Sequence, residues 1–219
     1  MGYQHQLTAG SCDLPVGKVV CVGRNYAEHA RELNNPLPDE PLLFIKPSTA
    51  IQPMQQAIVI PEGRGGLHYE TEVAVLIGAP LTRATQAEAS AAITGVGLAL
   101  DLTLRDLQTS LKNKGLPWEK AKAFDGSCCL SPFVAANTVN LQSLPVKLWI
   151  NDVLRQDGNT DQMLRSVTAL VAHISEWFTL LPGDVVLTGT PAGVGELQAG
   201  DQLNLQLGDM LSAATRVEN

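Results

Sequence analysis

Two glutamates stand two positions apart at the start of an apolar run. Glu70 and Glu72 precede the aliphatic residues 73–77, a pattern typical of a buried strand. Because side chains alternate along a strand, both carboxylates would share a face with His68. Paired carboxylates repel each other and resist burial, so we expect positive charge to lie between them.

A third carboxylate, Asp101, ends a second apolar run at 96–100. If the two strands are neighbours, three carboxylates converge. Oxygen ligands of this kind suit Mg²⁺ or Mn²⁺, whereas zinc prefers histidine or cysteine. Such a site would leave positions for substrate oxygens, as a Lewis-acid catalyst requires. The residues alone leave a second interpretation open, in which Glu70 and Glu72 lie on a solvated strand face and Asp101 caps the following helix.

Three further residues are candidates for catalysis. His29 and Glu32 are three positions apart in a run of helix formers, so they would share a helix face. There they could form an acid–base pair, or both could simply face solvent. Lys122 lies in a stretch without clear periodicity, where it could offer positive charge to an anionic substrate or be an ordinary surface lysine.

The turn at 188–195 is rich in glycine and threonine. It lacks the lysine of a P-loop and the glycine spacing of a dinucleotide fold, which argues against a nucleotide-binding protein. Its backbone amides and the Thr190 hydroxyl could receive a carboxylate, and a purely structural turn is the alternative.

The surrounding pattern predicts which elements position these side chains. A short helix at 27–33 carries the acid–base candidates, and the proline-rich loop at 36–41 would let that helix move as a lid. Thr85, with Glu88 three residues on, predicts a capped helix start. The other predicted elements are helices at 85–93, 103–114 and 160–178, an ordered loop at 116–125, and hairpins around 151–152 and 208–209.

The composition is that of a globular protein. Of 219 residues, 45% are hydrophobic and 17% charged, and the net charge of −7 argues against a nucleic-acid partner. No apolar run reaches transmembrane length and residues 1–10 lack a signal-peptide core, so we expect no membrane partner and no export. Four cysteines without C-x-x-C spacing are expected to be reduced packing residues, which predicts a cytoplasmic location.

Many short strands and only a few helices predict a single β-rich domain of the α+β class. The domain is expected to span 18–219, with 1–17 forming an amino-terminal arm or a decorating strand. The runs that predict strands lie at 18–22, 42–45, 57–60, 73–77, 96–100, 146–150, 153–156, 185–187, 203–207 and 211–217.

Six segments, in order along the chain, resemble the fumarylacetoacetate hydrolase superfamily. They are V-G-R-N-Y-A-E-H at 22–29, L-F-I-K-P-S-T at 43–49, H-Y-E-T-E at 68–72, A-L-D-L-T at 99–103, G-L-P-W-E-K-A-K at 115–122 and L-T-G-T-P at 187–191. Each segment alone is a weak indication of the family, but the six together are specific and cover nearly the whole chain. Within the superfamily the chain resembles the small single-domain members of the acylpyruvate hydrolase and oxaloacetate decarboxylase type.

The resemblance implies a fold and a role for each candidate residue. The fold would be a mixed β-roll with a few peripheral helices, and members of the superfamily usually form homodimers. The dyad on the lid helix would handle water or protons. The implied roles are binding of Mg²⁺ or Mn²⁺ by Glu70, Glu72 and Asp101, catalysis by His29, Glu32 and Lys122, and substrate binding by Arg24, Gln108 and Thr190.

The resemblance also implies an activity on small 2-oxo acids. The chain would hydrolyse the C–C bond of 2,4-dioxo acids such as acetylpyruvate or fumarylpyruvate, decarboxylate oxaloacetate, or do both. The alternative is keto–enol tautomerisation of oxaloacetate at the same metal site. A non-catalytic binding protein is the remote alternative, because every implied ligand and catalytic residue is present. Two departures are Tyr69, where small members often have histidine, and 151–153, where N-D-V replaces the usual N-G-E.

Overall fold

The computed structural model describes residues 2–218, in which strands predominate. None of the helices in this range is long and apolar enough to cross a lipid bilayer. Three short 3-10 turns lie at Ser48–Ala50, Ala136–Thr138 and Thr160–Gln162. The α-helices of the described range are α1 (Ala27–Glu32), α2 (Gln86–Ala92), α3 (Arg105–Asn113), α4 (Glu119–Lys122) and α5 (Val167–Trp177).

Most of the strands in the same range are short. In chain order they are β1 (Gln6–Leu7), β2 (Gly10–Ser11), β3 (Val19–Gly23), β4 (Leu42–Lys46), β5 (Ile51–Pro53), β6 (Ile58–Val59), β7 (Leu67–Tyr69), β8 (Thr71–Ile77), β9 (Ile93–Asp101), β10 (Thr103–Leu104), β11 (Cys128–Leu130), β12 (Val134–Ala135), β13 (Pro145–Ile150), β14 (Val153–Asn159), β15 (Val185–Leu187), β16 (Gly195–Glu196), β17 (Gln202–Leu207) and β18 (Leu211–Glu218). The longest, β9, has nine residues.

The largest sheet places two strongly apolar strands side by side near its centre. Its order is β4-β3-β15-β8-β9-β11-β5, with β12 added beside β9. Strands β8 and β9 run antiparallel, and Glu72 pairs with Ala99 in their register. The start of β8 therefore lies next to the end of β9, where the Asp101 N–H donates to the Glu70 carbonyl at 2.8 Å. This register brings two distant runs of the sequence to one edge of the sheet.

The alternating side chains of β8 pack into two separate apolar layers. Val73, Val75 and Ile77 belong to the main core, whereas Ala74 and Leu76 belong to a second layer on the opposite face. The main core also receives side chains from α5 and from the five-stranded sheet β14-β13-β17-β18-β6. Because both faces of the strand are covered, all seven residues of β8 are buried.

The amino-terminal residues pack against the second layer. Strands β1 and β2 form a hairpin, and Leu7 contacts the second layer. His5 is buried, and its Nε2 donates to the Gly183 carbonyl at 2.9 Å. Residues of the segment 2–17 thus contribute to packing, and the separation of 1–17 from a domain at 18–219 stays a prediction.

Much of the predicted architecture is confirmed. The chain has the α+β class, the mixed β-roll and the few peripheral helices that were expected. Helix α2 follows Thr85, whose hydroxyl accepts a hydrogen bond from the Glu88 N–H in a complete capping box. Asn151 and Asp152 turn the chain between β13 and β14 with φ of 50° and 63°, the left-handed values that a two-residue turn requires even without glycine.

The beginning of α3 differs from the prediction. The pattern at 103–114 predicts a helix, but Thr103 pairs with His68 in the small sheet β10-β7-β16, so the helix begins only at Arg105. Gly115 follows the helix with φ of 64°, as a glycine at this position predicts. Pairing with a distant strand outweighs the local helical pattern here.

Two other segments also differ from the prediction. Helix α5 begins at Val167, later than its pattern predicts, because the Leu164 N–H donates instead to the Asn25 carbonyl at 2.8 Å. The segment 116–125, predicted as loop, contains the helical turn α4. Lys122 at the end of α4 is buried, and its contacts with other elements hold this turn in place.

Candidate active site

Glu70, Glu72 and Asp101 meet at one end of the central strands. Each offers an oxygen, and these oxygens all lie within 4.8 Å of one another. The three residues are 6%, 2% and 1% exposed, so the interpretation of a solvated strand face is wrong. Asp101 is also not a helix cap, because α3 begins after Leu104 and has no side-chain cap.

His68 was expected to share a face with the two glutamates. The strand is interrupted at Glu70, and His68 lies on β7, where it pairs with β10 and β16. It is half-buried and is not among the residues that line the cavity of the carboxylates. Tyr69 is buried against Gly195, where an added Cβ would come within 2.8 Å of the Tyr69 hydroxyl. Tyr69 therefore packs against the backbone beside the site.

Three basic side chains supply positive charge to Glu70 and Asp101. Lys122, 3% exposed, donates from Nζ to Glu70 Oε2 and to Asp101 Oδ2, both at 2.8 Å. Arg105 Nη2 donates to Glu70 Oε1 at 2.5 Å. Lys46 Nζ lies 2.9 Å from Asp101 Oδ1. The chain itself thus provides positive charge for Glu70, but this charge lies between Glu70 and Asp101 and not, as expected, between Glu70 and Glu72.

Lys46 is fully buried at the end of β4. Its Nζ donates to the Ser127 carbonyl at 3.0 Å, to Ser127 Oγ at 3.1 Å and to the Lys122 carbonyl. A buried ammonium group is tolerated only when it is paired and hydrogen-bonded. Lys46 therefore ties β4 to the backbone that carries Lys122 and to the carboxylate of Asp101.

The surroundings of Glu70 and Glu72 shift the pKa values of these two carboxylates in opposite directions. Burial acts to raise the pKa of Glu70, but Lys122 and Arg105 outweigh it and hold that pKa far below its ordinary range. Burial and then the charges of Asp101 and Glu70 raise the pKa of Glu72 well above its ordinary value. Burial acts to lower the pKa of Lys122, but its two carboxylate partners outweigh burial and raise it. Glu72 is thus the carboxylate that is short of positive charge.

This donor set fits an oxygen-preferring divalent cation. The cluster consists of three convergent, buried carboxylates. Asp101 Oδ1 makes no well-directed hydrogen bond despite the nearby Lys46, and Glu72 lacks a compensating salt bridge within residues 2–218. Oxygen ligands alone favour Mg²⁺ or Mn²⁺ over zinc. The predicted ligands are therefore close enough to act together, and metal binding itself stays a prediction.

The turn at 188–195 holds two of the protein's own carboxylates through its backbone. The Gly189 N–H donates to Glu72 Oε2 at 2.6 Å, and the Gly193 N–H donates to the Glu32 oxygens at 3.1 and 3.2 Å. Both glycines have left-handed φ values, 99° and 97°, which glycine adopts without strain. The amides of this turn thus hold carboxylates of the chain itself. Reception of a substrate carboxylate by this turn and Thr190 stays a prediction.

His29 and Glu32 form a pair on α1. His29 Nδ1 lies 3.4 Å from Glu32 Oε2. His29 is only 6% exposed, so the interpretation that both side chains face solvent is wrong for His29, whereas Glu32 is exposed. With Nδ1 directed at the carboxylate, Nε2 is the nitrogen available for chemistry. Asn25, just before α1, donates from Nδ2 to the Thr188 carbonyl at 3.0 Å, which anchors the start of the helix to the glycine-rich turn.

One cavity, called the site cavity below, collects eight of the nine predicted site residues. The ninth, Glu32, does not line this cavity but contacts His29 Nδ1 and the Gly193 N–H. Gln108 Oε1 accepts a hydrogen bond from Arg105 at 2.8 Å, which links the substrate-binding candidates to the carboxylate cluster. The predicted residues that line the site cavity are Arg24, His29, Glu70, Glu72, Asp101, Gln108, Lys122 and Thr190.

Three polar residues support the site without having been expected as site residues. Lys46 and Arg105 neutralise the cluster, and a lysine at the end of the apolar run 42–45 was the local signal for the first of them. Gln156 accepts from the Thr71 N–H at 3.0 Å and donates to Thr190 Oγ1 at 2.8 Å. No local pattern marks Gln156, because its role depends on the contact between β14 and the start of β8.

Comparison with known proteins gives matches over nearly the whole chain. The sequence profile of the fumarylacetoacetate (FAA) hydrolase C-terminal family matches residues 18–218. The chain is 51% identical over 218 residues to oxaloacetate tautomerase YcgM of Escherichia coli (strain K12), covering 98% of this chain and 99% of that protein. It is 40% identical over 202 residues to the mitochondrial oxaloacetate tautomerase FAHD1 of Homo sapiens, covering 91% of each.

A solved structure agrees with the sequence matches. The crystal structure of fumarylpyruvate hydrolase from Pseudomonas aeruginosa, in complex with Mn²⁺ and pyruvate, is similar with a TM-score of 0.94 at 34% sequence identity. The similarity covers 99% of this chain and 96% of that chain. On the match of its sequence and its fold, the chain belongs to the fumarylacetoacetate hydrolase family.

Proposed function

We propose that the chain is a divalent-metal-dependent enzyme of small 2-oxo acids and that its reaction is the keto–enol tautomerisation of oxaloacetate. The proposal rests on the His29–Glu32 pair, whose histidine lines the same cavity as the carboxylate cluster. Relatives 51% and 40% identical carry the name oxaloacetate tautomerase, which supports this reaction over the hydrolysis and decarboxylation that the sequence resemblance put first.

Glu70, Glu72 and Asp101 would hold the Mg²⁺ or Mn²⁺ ion. The Mn²⁺ in the structure of the fumarylpyruvate hydrolase relative supports a cation of this kind. When bound, such an ion polarises the 2-oxo group and makes the neighbouring C3–H more acidic. Lys122 and Arg105, both at the carboxylate cluster, keep positive charge next to the anionic substrate.

His29 moves the proton in this proposal. Glu32 accepts the Nδ1–H, which leaves the Nε2 lone pair free to take a proton from C3. The imidazolium then gives that proton to the 2-oxygen, so the keto acid becomes the enol with no atom gained or lost. Glu32 stabilises the imidazolium, and the Gly193 N–H keeps the Glu32 carboxylate in position.

The second candidate function is hydrolysis of acylpyruvates, and the fumarylpyruvate hydrolase relative favours it. His29 and Glu32 would then take a proton from water as its oxygen attacks the C4 carbonyl. The C3–C4 bond breaks, C3 takes up a proton, and pyruvate and a carboxylic acid leave. Decarboxylation of oxaloacetate breaks the same bond without water, so the group at C4 decides which reaction the cavity supports.

Nuclear magnetic resonance of oxaloacetate separates these reactions in one assay. With enzyme and Mg²⁺ we expect the enol and keto signals to interconvert faster than in buffer, while pyruvate accumulates at the uncatalysed rate. A chelator should remove the acceleration. Pyruvate that forms as fast as the enol disappears would instead indicate a decarboxylase, and cleavage of acetylpyruvate would indicate a hydrolase.

A matched pair of variants ties the activity to the dyad. His29→Gln should abolish the acceleration, because glutamine cannot carry the proton. His173→Gln is the control, since His173 also faces a glutamate three residues on, Glu176 at 3.9 Å on α5, but does not line the site cavity. Equal activity of the two variants would remove His29 from the mechanism.

We further propose that the chain forms a homodimer. Strand β4 is an edge of the largest sheet, and the side chains of 42–45 are only half-buried there. An apolar edge of this kind is a ready surface for association. Sedimentation should show twice the chain mass for the wild type and the single mass for Leu43→Arg. A monomeric wild type would contradict the proposal.

The remaining proposals concern the bounds of the catalytic domain, the cellular location of the protein and its partners. The catalytic domain would span 18–219 with 1–17 as an accessory arm, and the start of the family match at residue 18 supports this division. We place the protein in the cytoplasm, because its four cysteines are free thiols, as a reducing compartment favours. The net charge of −7 supports small 2-oxo acids, rather than nucleic acid or a membrane, as partners.

A further inference from the structure

Two basic side chains at the site cavity have no acidic partner within residues 2–218. Arg24 and Lys112 both line this cavity. Arg24 Nη1 donates to the Pro36 carbonyl at 3.4 Å, and Lys112 Nζ donates to Asn35 Oδ1 at 3.2 Å. Both cations therefore bond neutral oxygens only, and their charge remains available to a ligand.

These positive charges lie close enough to repel each other. Burial lowers the pKa of Lys112, and the charges of Arg24 and Arg105 lower it further. Arg105 is neutralised by Glu70, whereas the other two cations are not. Lys112 also lies 5.8 Å from the ring centre of Trp118, whose face attracts an ammonium group. An anion between Arg24 and Lys112 would relieve their repulsion.

The backbone at Arg24 is held in an unusual conformation. Its φ of 60° is left-handed, which is costly for a residue other than glycine and persists only where neighbouring contacts impose it. The next residue, Asn25, supplies such contacts through hydrogen bonds to the carbonyls of Thr188 and Arg165 at 3.0 and 3.1 Å. The contacts of Asn25 thus fix the backbone from which the Arg24 side chain reaches the site cavity.

We infer that Lys112 and Arg24 form a second anion subsite, which selects 2-oxo acids that carry another carboxylate at the end remote from the 2-oxo group. The inference rests on the proposed function, in which the 2-oxo acid end of the substrate lies at the carboxylate cluster. Among the described lysines and arginines that line the site cavity, Arg105 and Lys122 have acidic partners, whereas Arg24 and Lys112 have none, so a further carboxylate finds unpaired charge there. Oxaloacetate has such a carboxylate, and 2-oxobutanoate has a methyl group in its place.

Binding of these two acids tests the subsite. Their affinities can be measured by stopped-flow tryptophan fluorescence with Mg²⁺, before turnover. Lys112→Met should weaken oxaloacetate binding roughly tenfold or more, the size of one charge-assisted hydrogen bond, and should weaken 2-oxobutanoate binding less than about twofold. Lys112→Arg should retain the preference. Lys114→Met, which changes an exposed lysine just after α3, should behave as the wild type.

A second variant separates ligand binding from anchoring. Lys112 also donates a hydrogen bond to Asn35, which follows α1, so Asn35→Ala removes that contact and keeps the ammonium group. If Lys112→Met weakens the binding of both acids equally and Asn35→Ala does the same, then Lys112 serves only to anchor Asn35. That result would overturn the inference. A wild type without preference for oxaloacetate would overturn it too. Selective binding without interconversion of keto and enol forms would contradict the proposed function alone, and leave the subsite in place.

Discussion

The ammonium group of Lys122 bonds the same two carboxylates, Glu70 and Asp101, that would bind a divalent cation. The cluster therefore carries its own counter-charge, and a metal ion would have to share these oxygens with the lysine or displace it. Both arrangements keep the buried carboxylates compensated, which is necessary because an unpaired buried charge is strongly destabilising.

Replacing this lysine should separate metal affinity from turnover. We expect Lys122→Met to bind Mg²⁺ more tightly, because a competing cation is gone, and to lose turnover at least a hundredfold, because the substrate loses a fixed positive charge. Without metal the variant should be less stable by about 3 kcal/mol, the usual cost of breaking a buried ion pair. Calorimetric titration, turnover and chemical denaturation measure the three effects.

The control for this variant lies on the same helix. Lys120→Met removes an exposed lysine of α4 and should leave metal affinity and turnover as in the wild type. Weaker Mg²⁺ binding in Lys122→Met than in Lys120→Met would show that the ammonium supports the metal instead of competing with it.

Among the elements, the glycine-rich turn at 188–195 has the most direct effect on the dyad. Its Gly193 combines a φ of 97° with close packing, since an added Cβ would lie 2.1 Å from the Arg155 carbonyl. A side chain there must move the turn and take the amide away from Glu32. Gly193→Ala should therefore lower kcat roughly tenfold or more, in the range seen when a supporting hydrogen bond is lost, and should lower Tm as well.

Gly200→Ala is the matched control for this turn. Gly200 has a similar φ of 91°, but an added Cβ would meet nothing within 4 Å. It should cost about 1 kcal/mol of stability through backbone strain alone and keep full turnover. If both variants retained wild-type kcat, the hydrogen bond from Gly193 to Glu32 would have no catalytic role.

The packed segment 2–17 should make stability depend on pH through His5. Burial lowers the pKa of His5, although hydrogen bonds to the carbonyls of Gly183 and Pro15 oppose the effect. The folded state thus favours the neutral ring, so the stabilisation is complete above the unfolded pKa of about 6.5 and is lost as the pH falls below it. Between about pH 8 and pH 5 the Tm of the wild type should fall more steeply than that of His5→Gln. Parallel curves would mean that His5 is not buried in solution.

For the whole molecule, metal binding should add directly to the stability of the fold. The three expected ligands are Glu72 on β8, Asp101 on β9 and Glu70 between β7 and β8, so an ion bound to them would join strands at the centre of the largest sheet. At a free Mg²⁺ concentration of about 100 times Kd, the stabilisation should be about 2.7 kcal/mol, which corresponds to roughly 5–10 °C in Tm.

Thermal unfolding with Mg²⁺ and with chelator measures this stabilisation. Asp101→Asn keeps the shape of the side chain and removes one anionic ligand, so its Tm should respond little to Mg²⁺. A shift as large as that of the wild type would exclude Asp101 as a ligand.

The sequence by itself identified the candidate site residues whose spacing brings them close together within one stretch of chain. Glu70 and Glu72 stand two positions apart where a strand pattern begins, and His29 and Glu32 have the spacing of a helix, so each pair is visible in a few letters. The order of the motifs then predicted the family and the mixed β-roll. Element boundaries were less predictable where a distant partner intervenes, as at Thr103, which joins a strand instead of the helix.

Only the tertiary structure decided how the charges are compensated. The pairing of β8 with β9 brings Asp101 to the glutamates, and burial then requires counter-charges from Lys46, Lys122 and Arg105, which lie on three other elements. The amides that hold Glu72 and Glu32 come from a turn more than a hundred residues away. Such contacts depend on sheet register and on the exclusion of water, and neither is written in the spacing of neighbouring residues.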